Sequence, residues 1–117
     1  MAFLEGISVI SLEQAVAAPA CSMRLAQAGA EVIKIERPEG DFARGYDTAV
    51  AGESSYFVWL NAGKKSVVLD LQQGEQVEML GQLISQSDVF VQNLKPGALA
   101  KLGLQLDALH EQHPKLI

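Results

Sequence analysis

The sequence has one cysteine, Cys21, so no internal disulfide can form. A lone thiol fits a reducing compartment, and a cytoplasmic setting is expected. Positive charge is also scarce. Nine lysines and arginines stand against fourteen aspartates and glutamates, a formal net charge of −5. No broad basic surface is left to neutralise a polyphosphate backbone, so no nucleic-acid partner is expected. No apolar run approaches membrane-spanning length, and no membrane partner is expected either. Ala17-Ala18-Pro19-Ala20 faintly resembles a signal-peptidase site, but no basic segment precedes it, and Glu5 and Glu13 interrupt the apolar stretch. There are only two histidines, His110 and His113. No thiol or carboxylate set joins them, so they read as exposed helix-end residues and no metal site is expected. Cys21 could be a thiol activated near a helix start, but a buried structural cysteine is the favoured reading. The carboxylates are dispersed without a recognisable acid/base pair, and nothing announces a nucleophile.

What the chain has in quantity is apolar residues, 49% of its 117. That is enough for the core of one domain. Residues 7–12 form a short run rich in β-branched side chains, read as a buried parallel strand. Pro19 fits the first turn of the helix that follows, where its missing N–H costs nothing. Gly29 closes that helix. Residues 32–35, 66–71 and 88–92 read as further strands. Residues 76–85, 98–102 and 106–112 read as helices, the first with Val77, Leu80, Leu83 and Ile84 on one face. Residues 38–65 hold four glycines and most of the aromatics and show little period. So long an excursion inside a compact domain is usually functional, and its aromatics argue against disorder. Leu116-Ile117 looks like the start of another buried strand, so the chain is expected to be part of a longer protein. Strands alternating with helices make the class α/β: a Rossmann-like parallel sheet with helices on both faces.

The most informative stretch is Ala28-Gly29-Ala30-Glu31-Val32-Ile33-Lys34-Ile35-Glu36-Arg37-Pro38, followed by Gly40-Asp41. It reads as a helix end, a glycine turn and a strand that delivers Glu36 and Arg37 to its carboxyl end. In an open α/β sheet ligands bind there. A carboxylate able to take a ribose hydroxyl, beside an arginine able to take a phosphate, points to a phosphorylated nucleoside. A plain surface ion pair is the competing reading. A dinucleotide is disfavoured, because Glu13-Gln14-Ala15-Val16-Ala17-Ala18 has no glycine for close approach of a pyrophosphate.

Five ordered segments carry a family resemblance. They are Leu4-Glu5-Gly6-Ile7-Ser8-Val9-Ile10, Ala18-Pro19-Ala20-Cys21, and Leu25-Ala26-Gln27-Ala28-Gly29-Ala30-Glu31-Val32-Ile33-Lys34-Ile35-Glu36. Leu60-Asn61-Ala62-Gly63-Lys64-Lys65-Ser66-Val67-Val68-Leu69-Asp70 and Ser87-Asp88-Val89-Phe90-Val91-Gln92-Asn93-Leu94-Lys95-Pro96-Gly97 complete the set. Each alone is weak; in this order and spacing they resemble the amino-terminal part of the family III CoA-transferases. That family includes formyl-CoA transferases, carnitine CoA-transferase and α-methylacyl-CoA racemase. The resemblance spans essentially the whole chain, but only the first quarter to third of a family member.

The resemblance implies that residues 1–117 are the N-terminal part of a CoA-binding Rossmann-like large domain. In the intact protein two chains would interlock as a homodimer of threaded rings. Coenzyme A or an acyl-CoA would bind as substrate, with a carboxylic acid as the other substrate and no covalently bound cofactor. By similarity, Arg37 would meet the nucleotide end. Gln14, Ala15, Val16 and Ala17 would line the pantetheine or thioester path by backbone contact. Leu69 and Gln72 would flank the adenosine, Asn93 and Leu94 the pantetheine arm, and Lys101 would reach a phosphate. Gln72 stands where a lysine is common. Gln14 and Val16 differ from the His and Gln of formyl-CoA transferases, which argues against formate and oxalate. The family's catalytic aspartate lies beyond residue 117, so no catalytic residue is expected within this chain and the chain alone is expected to be inactive. The implied chemistry is nucleophilic catalysis by that carboxylate. An acyl-CoA racemase of the same family and a non-catalytic nucleotide-binding module are the alternatives. Residues 42–59 are expected to shape an acyl pocket, and Gly40-Asp41-Phe42-Ala43-Arg44 resembles members that act on small dicarboxylates.

Overall fold

Four short strands form one sheet in a computed structural model that describes residues 2–117. They are β1 (Ser8–Leu12), β2 (Glu31–Glu36), β3 (Lys65–Val68) and β4 (Val89–Gln92). The order is β3-β2-β1-β4 and every pairing is parallel. Between the strands run α1 (Ala17–Gln27), α2 (Ser55–Leu60) and α3 (Gly74–Ser85). Two short helices, α4 (Ala98–Lys101) and α5 (Leu106–Gln112), follow β4.

Strand alternation sorts the side chains onto two faces. Ile10, Leu12 and Ile35 pack with Leu80 and Ile84 of α3, Leu99 of α4 and Leu109 of α5. Val9 and Val32 point the other way and pack with Leu25 and Ala26 of α1. Helices therefore cover both faces, as the alternating pattern requires. Each fully buried Leu or Ile contributes about 1.5–3 kcal/mol, so α3 is held chiefly by Leu80 and Ile84. The same alternation sends Ser11, Lys34 and Glu36 onto the α1 face, where all three are buried.

Helix α1 ends as its glycine predicts. Gly29 takes φ +105°, its N–H donates to Ala26 and that of Ala30 donates to Leu25, the paired bonds of a Schellman turn. This turn delivers the chain straight into β2. At the other sheet edge Leu116 is buried, and Ile117 donates to the Asp88 carbonyl while accepting from Phe90. That is one parallel rung on β4, in line with the strand-like reading of Leu116-Ile117.

Three readings need correction. Residues 38–65 are not an irregular excursion throughout. They contain a single 3-10 turn at Phe42–Gly45, capped by Asp41, and helix α2, capped by Ser54. The six residues of α2 include Tyr, Phe, Val and Trp, which are weak helix formers, and only Leu60 is buried, so no apolar period was there to read. The second correction is Cys21. It is exposed, because α1 turns Ala18, Pro19, Ser22 and Met23 inward and Cys21 outward. His110 is exposed as expected, and its Nε2 lies 2.9 Å from the Leu116 carbonyl, but His113, also read as exposed, is half-buried. Among the described residues no set of three His, Cys, Asp or Glu could hold a metal, and no helix is long and apolar enough to cross a membrane.

Candidate ligand cleft at the strand ends

The centre of the site is a buried charge network that was not read from the sequence. Lys34 projects from β2 and meets Asp41 at 2.7 Å and Glu13 at 3.4 Å. Lys64, just before β3, meets the same Glu13 oxygen at 2.7 Å and also donates to the Pro19 carbonyl and the Asn61 side chain. The other Glu13 oxygen accepts from Ser11 and from Ser22 of α1. Two ammonium groups thus balance two carboxylates, with every side chain at most 2% exposed. Burial pulls the Lys64 ammonium below the ordinary lysine value, against the opposing pull of Glu13. Buried charges are tolerated only when so paired.

The network fixes the first β-to-α turn. Ala15 adopts φ +67°, a left-handed conformation that an alanine rarely takes. Its N–H donates to Asp41 Oδ1 at 2.8 Å, the carboxylate that also accepts from Ala43 and holds Lys34. One residue earlier, Asn93 grips Gln14 from across the sheet. Asn93 Oδ1 accepts from the Gln14 N–H at 3.1 Å, and its amide donates to the Gln14 carbonyl at 2.9 Å. This clamp ties the ends of β1 and β4 together, the neighbours between which the strand order reverses.

A cleft of about 380 Å³ lies over the carboxyl ends of the strands. The loop after β1 contributes Glu13 and Gln14; the end of β2 and the loop after it contribute Glu36, Arg37 and Asp41; the loop after β3 contributes Leu69, Asp70 and Gln72. Leu94 and Leu102 close the far side. Leu69 stays tied to the sheet by its N–H bond to the Glu36 carbonyl, and the chain then turns with the Gln72 N–H on Asp70. Of the expected contact residues, Gln14, Arg37, Leu69, Gln72 and Leu94 line this cleft. Ala15, Val16 and Ala17 lead away from it into α1, and Asn93 acts as the clamp just described. Lys101 is exposed at the end of α4, next to Leu102, and does not line the cleft. None of residues 42–59 lines it either. Asn93 engages the Gln14 N–H and one lone pair of its carbonyl.

Glu36 is not free for a ribose hydroxyl. Arg44 holds it through two nitrogens, at 2.5 and 3.0 Å, and the Asp41 N–H and Ser66 hydroxyl donate as well. Burial alone would raise this carboxyl, but the Arg44 bond, the Asp41 N–H, the Arg44 charge and Ser66 outweigh it and hold it below the ordinary value. The arginine at the next position is different. Arg37 bonds the Gly40 carbonyl through Nε at 2.8 Å and lies 4.0 Å over the Phe42 ring, so the guanidinium is oriented while its terminal nitrogens make no hydrogen bond among the described residues. Among the described residues it is the one cation that lines the cleft. A stacked, half-tethered guanidinium at the strand ends is built to meet a phosphate or carboxylate.

A family model described as CoA-transferase family III matches residues 4–117. The chain belongs to this family. As a family III CoA-transferase segment it is 40% identical to a (R)-2-hydroxy-4-methylpentanoate CoA-transferase of Clostridioides difficile, over 97% of this chain and 30% of that protein. It is 38% identical to a succinyl-CoA:mesaconate CoA-transferase of Haloarcula hispanica, over 100% of this chain and 31% of that protein. The crystal structure of a CAIB/BAIF family protein from Brucella suis superposes with a TM-score of 0.89 at 35% identity, covering 97% of this chain and 32% of that one. The chain therefore spans about 30% of the length of the curated CoA-transferases it matches.

Proposed function

We propose that the intact protein is a CoA-transferase that moves coenzyme A from an acyl-CoA donor to a carboxylic acid, and that residues 1–117 are the N-terminal part of its CoA-binding domain. Family membership over residues 4–117, together with a strand-end cleft whose lining cation is Arg37, carries this reading. Arg37 would take a phosphate of the nucleotide end, Leu69 and Gln72 would border the adenosine, and Leu94 would flank the pantetheine arm. Lys101, exposed beside the cleft, would reach a phosphate from its rim. The acceptor class we favour is a small dicarboxylate, supported by the relative that exchanges CoA between succinate and mesaconate. The Gly40–Arg44 motif does not add to that choice, because Asp41 and Arg44 are engaged with Lys34 and Glu36.

The reaction would run on an aspartate beyond this chain. Its carboxylate attacks the donor thioester carbonyl, the C–S bond breaks, and a mixed anhydride and CoA thiolate result. The thiolate then attacks the aspartyl carbonyl, releasing the donor acid and leaving an aspartyl-CoA thioester. The acceptor carboxylate attacks that thioester to give a second anhydride, and returning thiolate takes the acyl group and frees the aspartate. Every step conserves one acyl bond, so no external energy source is required. The chain of 117 residues alone is expected to show no turnover. We further propose that the intact protein works as an interlocked homodimer.

Calorimetric titration of the full-length protein with coenzyme A and with NAD tests the reading. Binding of coenzyme A with no heat from NAD is expected. Preference for NAD would remove the assignment and favour a dinucleotide-binding module.

A further inference from the structure

Arg37 is held twice in the free protein. Residues 37–40 form a turn closed by the Gly40 N–H on the Arg37 carbonyl at 2.9 Å, and Arg37 Nε donates back to the Gly40 carbonyl at 2.8 Å. Gly40 takes φ +84°, and a Cβ there would stand 3.0 Å from the Arg44 side chain, so the carbonyl that receives Nε depends on a glycine. The second hold is Phe42, whose ring centroid lies 4.0 Å from the guanidinium carbon. Phe42 is 53% exposed, yet its backbone is fixed on both sides. Before it, Asp41 is buried, bonded to Glu36 through its N–H and to Lys34 through its side chain. After it, Ala43 is buried, and its N–H donates to the Asp41 carboxylate that caps the 3-10 turn. The buried charge network thus sets where the Phe42 ring stands.

Resting on the coenzyme A reading above, we propose that Phe42 is a positioning residue, whose ring holds the Arg37 guanidinium in the orientation that meets a phosphate. An aromatic face attracts a guanidinium and leaves its donor nitrogens free at the edge, where a bidentate anion contact forms. Arg44 shows the same arrangement with an anion in place. Its guanidinium carbon lies 3.8 Å from the Phe57 ring centroid while two of its nitrogens bind the Glu36 carboxylate. Arg37 on Phe42 repeats that platform, but its terminal nitrogens make no hydrogen bond among the described residues. An arginine that is free to rotate loses conformational freedom when it grips a ligand, and one already stacked loses less. Phe42 does not line the cleft, so it acts through Arg37 and not by touching the ligand.

The test is calorimetric titration of the full-length protein with free coenzyme A, which carries no acyl group. Phe42→Leu keeps an apolar side chain and removes the ring. It should bind coenzyme A roughly twofold to tenfold more weakly, because Arg37 must then be ordered on binding. Phe42→Tyr keeps the aromatic face and should keep the affinity. In an Arg37→Ala background Phe42→Leu should have no further effect, because the group it positions is gone. Equal weakening with and without Arg37 would overturn the proposal by showing that the ring acts without the guanidinium. A Tyr variant as weak as the Leu variant would overturn it too. So would unchanged binding of free coenzyme A by Phe42→Leu with weaker binding of an acyl-CoA, the mark of a role in an acyl pocket. If the wild type does not bind coenzyme A, the coenzyme A reading itself falls and this proposal with it. If Arg37→Ala weakens binding and Phe42→Leu does not, only the role of Phe42 falls.

Discussion

Replacing Asp41 with asparagine should destabilise the protein severely, although the two side chains have nearly the same shape. The new carboxamide could still accept from Ala15 and Ala43 through its one oxygen. The atom facing Lys34, now 2.7 Å from its ammonium, would become an NH2 group. Lys34 is 1% exposed and its remaining carboxylate, Glu13, is 3.4 Å away and already shared with Lys64. A network that balances two positive and two negative charges would carry one uncompensated buried positive charge. Breaking a buried pair from one side costs about 3–5 kcal/mol. A domain is stable by only about 5–15 kcal/mol, so this is a large share. With a urea dependence of about 2 kcal/mol per molar, the unfolding midpoint of the intact protein should drop by roughly 1.5–2.5 M.

The second arm of that experiment removes the orphaned charge. Lys34→Met in the Asp41→Asn background restores neutrality, leaving Glu13 with Lys64. Replacing both partners of a buried pair is often close to neutral, so the double variant should recover much of the lost stability. A midpoint shift under ~0.5 M for Asp41→Asn, at unchanged slope, would refute the reasoning. So would a double variant less stable than the single one, since the penalty would then lie in lost packing and not in charge.

Three shorter predictions concern other parts of the site. Arg37→Ala should weaken coenzyme A binding about tenfold to a hundredfold, the value of a charge-assisted contact, with Arg37→Lys recovering only part; an unchanged dissociation constant in a well-folded variant would reject the phosphate role. Gly29→Ala should cost about 1–2 kcal/mol, because φ is +105° and a Cβ would stand 2.3 Å from that of Ala2; equal melting of the two proteins would contradict this. Glu36 has a folded pKa below its ordinary 4.5, so its contribution to stability is full above that pH and is lost as pH falls through the lower folded value; Glu36→Gln should flatten that part of an acid denaturation profile, and identical profiles would show that Glu36 is not the titrating group.

Much of the fold was legible because it rests on local signals. Gly29, the run rich in β-branched side chains at residues 7–12 and the apolar face of α3 each specify an element without long-range help, and each is found where the sequence put it. The end of β2 was legible too and put Arg37 at the cleft; Leu69, Gln72 and Leu94, which also line it, are named by the family resemblance alone. Polar side chains were harder. Glu36 beside Arg37 reads as a ligand pair, but its partner is Arg44, eight residues on. Lys34 stands inside a strand with no carboxylate partner marked beside it in the sequence, and it is 1% exposed because Glu13 and, seven residues on, Asp41 meet it. Glu13 and Lys64 are 51 residues apart, and no local pattern announces a pairing at that separation. Helix α2 was missed for a related reason: its aromatic face is largely exposed and gives no period.

The absence of glycine from the first β-to-α turn excludes a pyrophosphate-cradling loop, yet the backbone still enters the left-handed region at Ala15. In glycine-rich loops that geometry is accessible because no Cβ opposes it. Here the Ala15 conformation costs on the order of 1–2 kcal/mol, and the Asp41 carboxylate supplies the compensating bond. Asp41 can do so only because Lys34 neutralises it, and Lys34 can be buried only because it has Asp41 and Glu13 beside it. The turn is thus set by a charge network on the α1 face of the sheet, not by local chain flexibility. A glycine loop can reshape itself around its ligand; a turn held by Asp41 on one side and Asn93 on the other cannot do so without breaking three hydrogen bonds. Such a turn favours one ligand geometry in advance, which lowers the ordering cost of binding. It also explains why the network sits directly beneath the cleft: rigidity is needed where the backbone departs from β1, and four charged side chains from three separate stretches of sequence converge there to provide it.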